Sequence, residues 1–122
     1  MIKSGTRVVV ADNTGAKVAV CIMILYKGGK RFAEVGDRIK VAVKSATPGG
    51  MVKKGDVCPA VVIRTTKEIR RPSGEYVRFS DNAVVLINEG GGAKGSRVSG
   101  PVARELKKGN YPDIVSAAKE LS

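Results

Sequence analysis

Alternating apolar and polar positions run through the first three-quarters of the chain and predict β-strands there. Residues 38–46 alternate cleanly, with Ile39, Val41 and Val43 on one side and two lysines among the intervening positions. Such alternation is typical of a strand with one buried face, which leaves a basic outer face here. Further segments rich in Val and Ile predict strands over residues 6–10, 17–26, 57–66 and 83–88.

The segment at residues 17–26 differs because it is apolar on both alternating sets. This pattern predicts a strand covered on two sides or one that crosses a barrel. Turn residues separate the predicted strands, at residues 12–15, 27–29, 36–37, 48–50, 54–56 and 72–74. Many short strands joined by Gly- and Pro-containing turns indicate a mainly β fold, either a small barrel or a sandwich.

The last quarter of the chain changes period and predicts two short helices after a glycine-rich loop at residues 90–95. Pro101 suits the first position of a helix and Gly109 suits its C-terminal end. A second helix is expected to begin at Pro112. Its buried face would comprise Ile114, Ala117, Ala118 and Leu121.

The charge balance points to a polyanionic partner. The 122 residues contain 22 Lys and Arg against 11 Asp and Glu, which gives a net charge of +11 at pH 7. The basic residues are spread evenly along the chain, so the charge belongs to the folded body rather than to a tail. Nucleic acid is the first candidate partner, and an anionic membrane is the second.

Several kinds of chemistry are excluded by composition. There is no His, so neither a Ser-His-Asp triad nor a His-ligated metal is possible, and two Cys alone cannot complete a four-ligand zinc site. We therefore expect no metal and no cofactor. Cys21 and Cys58 lie in apolar segments, where core packing is the default. No apolar run is long enough to span a bilayer, and we expect a cytoplasmic protein with reduced thiols.

Two further patterns superficially suggest an enzyme. Asp12, Asp37 and Asp56 could form a carboxylate set, but each lies in a glycine-containing turn, where Asp is favoured for local backbone hydrogen bonds. The glycine-rich loop places Lys94 before Gly95, whereas a phosphate-binding Walker loop needs Gly before Lys. Both patterns favour a structural interpretation, and we reject nucleotide hydrolysis.

The segment at residues 64–79 is the most informative candidate site. It is a predicted hairpin, with a β-turn at residues 71–74, and it carries five basic residues against Glu68 and Glu75. Clustered guanidinium groups can bind phosphates with two hydrogen bonds each, although a solvated hairpin would look the same. The loop at residues 48–55, with two Gly followed by Lys53 and Lys54, is either a second phosphate contact or a flexible turn.

Aromatic residues are scarce, and at most Tyr76 and Phe32 could stack on bases. Proteins that read single strands normally use several exposed aromatic side chains. A basic β protein that is poor in aromatics better fits recognition of structured RNA by shape and backbone.

From residue 60 the chain reads AVVIRTTKEIRRPSGEYVRFSDNAVVL, which resembles the signature of the family of large-subunit ribosomal protein number fourteen. Further matching motifs occur in the same order at residues 11–17, 35–37, 46–50, 52–55 and 100–105. The resemblance covers nearly the whole chain. Residues 94–96 and 111–112 are closer to archaeal and eukaryotic members, and the middle is closer to bacterial ones. This mixture suggests the hypothesis of a consensus or ancestral sequence.

The resemblance implies one domain over residues 1–122, with a closed five-stranded barrel and projecting hairpin at 1–98 and a short helical part at 99–122. It implies binding to large-subunit rRNA, contacts with neighbouring ribosomal proteins, and an intersubunit bridge to small-subunit rRNA. It also implies a docking surface for a ribosome-silencing factor that includes Ser96, Arg97 and part of the C-terminal helix. The basic residues expected to bind RNA are Lys53, Lys54, Arg64, Lys67, Arg70, Arg71, Arg78, Lys94, Arg97 and Arg104.

Alternatives remain open from the residues alone. Arg104 could instead pair with Glu105 or cap the barrel. The whole protein could be a free-standing nucleic-acid-binding barrel, such as an RNA chaperone, that binds many RNAs with little preference. An enzyme acting on phosphorylated substrates is less favoured, because the chain lacks a base with a near-neutral pKa. We expect no membrane association, since the last predicted helix mixes acids with its lysine.

Overall fold

The computed structural model describes residues 2–25, 32–88, 90–108 and 111–118. It contains seven strands, which are β1 (Arg7–Val10), β2 (Ala16–Ile24), β3 (Arg38–Ala46), β4 (Val57–Arg64), β5 (Ile69–Arg70), β6 (Tyr76–Val77) and β7 (Ala83–Leu86). Five of them form a closed barrel in the order β1-β2-β3-β4-β7, and β5 pairs with β6 in a separate hairpin. The predicted mainly β fold with a barrel and a hairpin is confirmed.

The barrel interior is built from the alternating residues that the sequence pattern indicated. Ile39, Val41 and Val43 of β3 are fully buried, and β3 begins and ends at the residues predicted. All neighbouring barrel strands pair antiparallel except β1 and β7, whose parallel pairing closes the barrel. Because closure leaves no free sheet edge around the barrel, the strands are fixed in register.

A second core lies outside the barrel, between its wall and the C-terminal segment. Strand β4 sends Val62 into the barrel and Val61 and Ile63 outward, yet all three are fully buried. The outward side chains are covered by residues from the C-terminal segment, which are Val98, Val102, Leu106, Tyr111 and Ile114. A strand that is covered on both faces needs apolar residues at consecutive positions, and this explains the unbroken apolar run in β4.

Strand β2 belongs to the barrel, which is one of the two interpretations that its apolar pattern allowed. The other interpretation, cover on both sides, does not hold at the end of the strand, where Ile22, Met23 and the following Leu25 are 42%, 54% and 39% exposed. The pairing of β2 with β3 shifts register between Cys21 and Met23, and Met23 then pairs with Lys40 on the outer side of the barrel. The apolar side chains there are therefore uncovered in the isolated chain.

One turn design precedes three of the barrel strands, at residues 3–6, 34–37 and 53–56. In each, the third residue is a Gly with a φ of 90–94°, as a type II turn requires. The side-chain oxygen of the fourth residue accepts a hydrogen bond from the first residue's N–H, at 2.8–3.1 Å. Asp37 and Asp56 are two of these fourth residues, so their carboxylates are used by the turns.

The C-terminal segment contains two short helices, a 3₁₀ helix at Arg104–Lys108 and the α-helix α1 at Pro112–Ala117. The first was expected to begin at Pro101, and this was wrong. The Pro101 carbonyl accepts a hydrogen bond from Arg64, and the Ala103 N–H donates to Ile63, so this stretch binds β4 instead of starting a helix. Helix α1 begins at Pro112 as predicted and buries Ile114, whereas Gly109 and Leu121 lie outside the described residues.

Neither of the helices that the structure describes is long and apolar enough to cross a membrane.

Alanine substitutions at three glycines should show how much unfolding free energy is lost through backbone strain and how much through lack of space for a Cβ. Gly36 has a φ of 90° with open space around an added Cβ, so Gly36→Ala should cost about 1–2 kcal/mol. An added Cβ at Gly50 would lie 3.0 Å from the Cα of Gly15 and from the Thr14 carbonyl oxygen. Gly50→Ala should therefore cost about 1–3 kcal/mol through crowding.

Gly15 combines a φ of 101° with the same close approach, so Gly15→Ala should lose the most unfolding free energy in urea titrations. Equal losses in all three variants would contradict this account.

Candidate nucleic-acid interface

The strands that the structure describes carry basic residues and no acidic ones. None of the strand residues that the structure describes is acidic, whereas seven are basic, namely Arg7, Lys17, Arg38, Lys40, Lys44, Arg64 and Arg70. All described acidic residues lie in turns, in loops or in the two helices. Charges of one sign on a surface raise the local potential and attract a polyanion.

Eight of the ten basic residues expected to bind RNA fall into two groups, and Arg64 and Arg104 belong to neither. The hairpin group comprises Lys67, Arg70, Arg71 and Arg78, and it follows the end of β4. The loop group comprises Lys53, Lys54, Lys94 and Arg97. The first two directly precede β4, and the Lys94 N–H donates to the carbonyl of Leu86, which pairs with Ala60 of β4. The eight residues of β4, about 23 Å from the first Cα to the last, lie between the turn at residues 53–56 and the hairpin.

Contacts with the turn at residues 12–15 bring the two halves of the loop group together. The Met51 N–H donates to the Thr14 carbonyl at 2.8 Å, which holds the 48–51 loop on one side of the turn. On the other side, the Asn13 Oδ1 accepts hydrogen bonds from the N–H groups of Ser96 and Arg97, at 2.8 and 3.2 Å. Ser96 and Arg97 are both exposed there.

Asp12 has a structural role in the same turn. Its Oδ2 accepts a hydrogen bond from the Leu86 N–H at 2.9 Å, and its Oδ1 accepts from the Thr14 hydroxyl at 2.6 Å. The described residues contain no group of three or more Cys, Asp or Glu side chains that could hold a metal ion. The turn interpretation of Asp12, Asp37 and Asp56 thus agrees with the hydrogen bonds that each carboxylate accepts.

The hairpin has two different faces. Ile69 pairs with Val77, and both are half-buried toward the body of the protein. Arg70 pairs with Tyr76, so their side chains share the opposite face, and both are exposed. Arg78 follows Tyr76 by two positions and is also exposed. The outer face therefore presents two guanidinium groups beside one aromatic ring.

The predicted β-turn at the hairpin tip is present. The Gly74 N–H donates to the Arg71 carbonyl at 2.9 Å, and the Arg71 N–H donates to the Glu75 carbonyl at 2.9 Å. Gly74 has a φ of 87°, which fits a three-residue loop that ends in a left-handed glycine.

Arg64 does not belong to the surface. It is 7% exposed, and its Nε and Nη2 donate to the Asp81 carboxylate at 2.6 and 3.3 Å. Its Nη1 donates to the carbonyls of Ser99 and Pro101 at 2.9 and 3.0 Å. Four of the five guanidinium N–H groups are thus used internally. We therefore assign Arg64 a structural role and leave it out of the interface.

Arg71 is also engaged within the protein. Its Nε and Nη2 donate to the two carboxylate oxygens of Glu105 at 3.0 and 3.2 Å, and these hydrogen bonds raise the pKa of the guanidinium. Glu105 therefore accepts from Arg71, whereas the sequence had suggested Arg104 as its partner. Arg104 itself is exposed at the start of the 3₁₀ helix.

A third arginine with an internal partner was missed by the sequence analysis. The Arg38 Nε donates to the Tyr111 hydroxyl at 2.9 Å, and its guanidinium carbon lies 5.5 Å from the ring centre. Nothing local in the sequence marks this pair, because 73 positions separate the two residues.

The two cysteines are structural. Cys21 lies opposite Val41, and Val41 lies opposite Cys58, so two strand spacings of about 9.6 Å in total separate the cysteines. This exceeds the Cα separation that a disulfide allows. Burial raises the pKa of the Cys21 thiol, although a hydrogen bond with the Met23 backbone opposes this shift. A protonated, buried thiol is a poor nucleophile.

Substitution by methionine should distinguish Arg64 from Arg70. Arg64→Met leaves the Asp81 carboxylate and two carbonyls without their donors, so it should lower the free energy of unfolding by about 3 kcal/mol. Arg70→Met changes an exposed side chain and should alter it by less than about 0.5 kcal/mol. Urea titrations of both variants measure this, and equal stabilities would refute the structural role of Arg64.

The fold and the ordered motifs agree with a known family. A family model described as ribosomal protein L14p/L23e matches residues 1–122, which is the entire chain. Proteins of this family are structural constituents of the large ribosomal subunit and are generally not catalytic. The chain therefore belongs to the ribosomal protein L14p/L23e family.

Proposed function

We propose that this protein binds large-subunit rRNA and, by engaging RNA at two ends of its barrel, helps to form an intersubunit bridge to small-subunit rRNA. The observation that carries the proposal is the separation of the hairpin group from the loop group by the length of β4. Two cationic surfaces separated by the length of β4, about 23 Å, can engage two RNA segments at once. The proposed location is the cytoplasmic ribosome.

The exposed hairpin residues provide the contacts of the first surface. Arg70 and Arg78 can each donate two hydrogen bonds to a phosphate, and Tyr76 between them is 61% exposed and can stack on a base or ribose. Each neutralised phosphate releases counterions, which supplies affinity without sequence preference. Preference for rRNA then comes from the fixed spacing of these groups on a rigid support.

The loop group provides the second surface together with helix α1. Between them lies a shallow depression of about 340 Å³, lined by Ala93, Gly95, Ser96, Asp113, Ser116 and Ala117. Small side chains and an exposed Arg97 allow close approach of RNA at a bridge or of a protein such as the ribosome-silencing factor. The two occupants would compete for the same residues.

Neighbouring ribosomal proteins have a separate candidate surface on β2. Ile22, Met23 and Leu25 form an exposed apolar patch, and such patches commonly mark protein contacts. An rRNA backbone would gain little from these side chains, so a protein neighbour fits this patch better.

A salt titration tests the rRNA assignment against a free-standing, unspecific RNA-binding barrel. The protein is titrated with a large-subunit rRNA fragment and with an unrelated structured RNA of equal length, from 50 to 200 mM salt. If 6–10 phosphates are contacted, affinity should fall by roughly 10³–10⁵ over this range. Preference for the rRNA should persist at the higher salt, and its disappearance would favour the chaperone alternative.

Variants in which glutamine replaces two cations should show how much each surface contributes to the salt dependence of binding. Arg70→Gln/Arg78→Gln and Lys53→Gln/Lys54→Gln each remove two cations, so each should reduce the salt slope by about 1.4–1.8. An unchanged slope in either variant would remove that group from the interface.

A three-component capture tests the bridge. Immobilised large-subunit rRNA, saturated with the protein, should retain labelled small-subunit rRNA. Neutralising either cationic group should abolish retention while the other group still binds one RNA. If small-subunit rRNA never joins the complex, the bridge is refuted although rRNA binding can stand.

A further inference from the structure

The hairpin is too small to fix its own direction. Strands β5 and β6 have two residues each, and a two-stranded hairpin is marginally stable alone. Ile69 and Val77 face the body, but they are only half-buried. A cleft of about 260 Å³ remains beneath, and its lining includes Glu34, Val35, Thr65 and Glu105. Apolar packing therefore supports the hairpin only partly.

The pair between Arg71 and Glu105 supports the hairpin at its outer end. Arg71 is the first residue of the turn at the tip, and two parallel hydrogen bonds join it to Glu105. A two-point contact fixes direction as well as distance, because the guanidinium and the carboxylate must be coplanar. The side chains are 13% and 27% exposed, so water competes only partly for them.

Glu105 is itself held by the second core. It lies in the 3₁₀ helix, and the next residue, Leu106, is fully buried against the outside of β4 and β7. The Leu106 N–H also donates to the Ala103 carbonyl at 3.0 Å. A continuous set of contacts thus runs from the barrel wall through Leu106 and Glu105 to the tip of the hairpin.

We propose that Glu105 is a positioning residue, which holds the hairpin at one angle to the barrel so that Arg70 and Arg78 match the phosphate spacing of rRNA. This inference rests on the proposed function. Electrostatics alone predicts that removing an acid next to a polyanion site raises the affinity for every RNA by the same factor. A positioning role adds a loss of preference for rRNA. Loss of Glu105 should therefore strengthen unselective binding and weaken selection.

The variant Glu105→Gln and the matched control Glu68→Gln test this. Both add one net positive charge, and Glu68 is an exposed residue near the same hairpin. With large-subunit rRNA and an unrelated structured RNA as probes, Glu68→Gln should raise both affinities by the same factor. Glu105→Gln should lower the preference for rRNA by about tenfold without weakening the unrelated RNA.

The exchange Arg71→Glu/Glu105→Arg provides the rescue. It keeps the net charge and restores an ion pair, so it should recover most of the preference that Glu105→Gln loses. Identical behaviour of Glu105→Gln and Glu68→Gln, with wild-type preference intact, would overturn the positioning role alone. A wild-type protein without rRNA preference would overturn the proposed function and this inference with it.

A measurement without RNA examines the hairpin directly. Spin labels on Ser73→Cys at the tip and Thr47→Cys on the far loop report the distance between the tip and that loop. Both positions are exposed and can be labelled. Cys21 and Cys58 are buried and should not react. The distance distribution should be narrow in the parent protein, broad with Glu105→Gln and unchanged with Glu68→Gln. An equally narrow distribution with Glu105→Gln would overturn the inference.

Discussion

The buried guanidinium of Arg64 joins the paired ends of β4 and β7 to the C-terminal segment, which lies outside the barrel. It stands at the end of β4 and binds Asp81, just before β7, and two carbonyls at the start of the C-terminal segment. Gly100 packs so closely that an added Cβ would lie 2.8 Å from the Nη1. Burying a charge is costly, and it is tolerated here because nearly every donor is satisfied.

Three arginines with internal partners bind the C-terminal segment at three points along its length. Arg64 holds its beginning, Arg71 binds the 3₁₀ helix through Glu105, and Arg38 binds Tyr111 just before α1. Beneath these polar contacts lies the second apolar core, which makes the outward side chains of β4 and β7 inaccessible. The segment is therefore part of the barrel's cover, and its surfaces are joined to the barrel wall by both polar and apolar contacts.

The net charge of +11 consequently overstates the number of cations that are available to bind a polyanion. Some arginines serve the fold, while exposed ones such as Arg70, Arg78 and Arg97 lie at the two ends of the barrel. Since the strand residues that the structure describes include no acid, few local counter-charges compete with a polyanion on the barrel wall. A rigid support with cations at fixed spacing suits recognition of RNA by its backbone, which the proposed rRNA contacts require.

Local pattern determined the strands and turns. The alternation of residues 38–46 predicted β3 correctly, and Pro and Gly placed the turn at residues 71–74, because side-chain period and turn chemistry act over a few positions. Only the tertiary structure decided that Arg64 is buried while Arg70 is exposed. The two arginines look alike in the sequence, but the partners of Arg64 lie 17 to 37 positions away, and the burial that separates the two side chains exists only once the C-terminal segment has packed on β4.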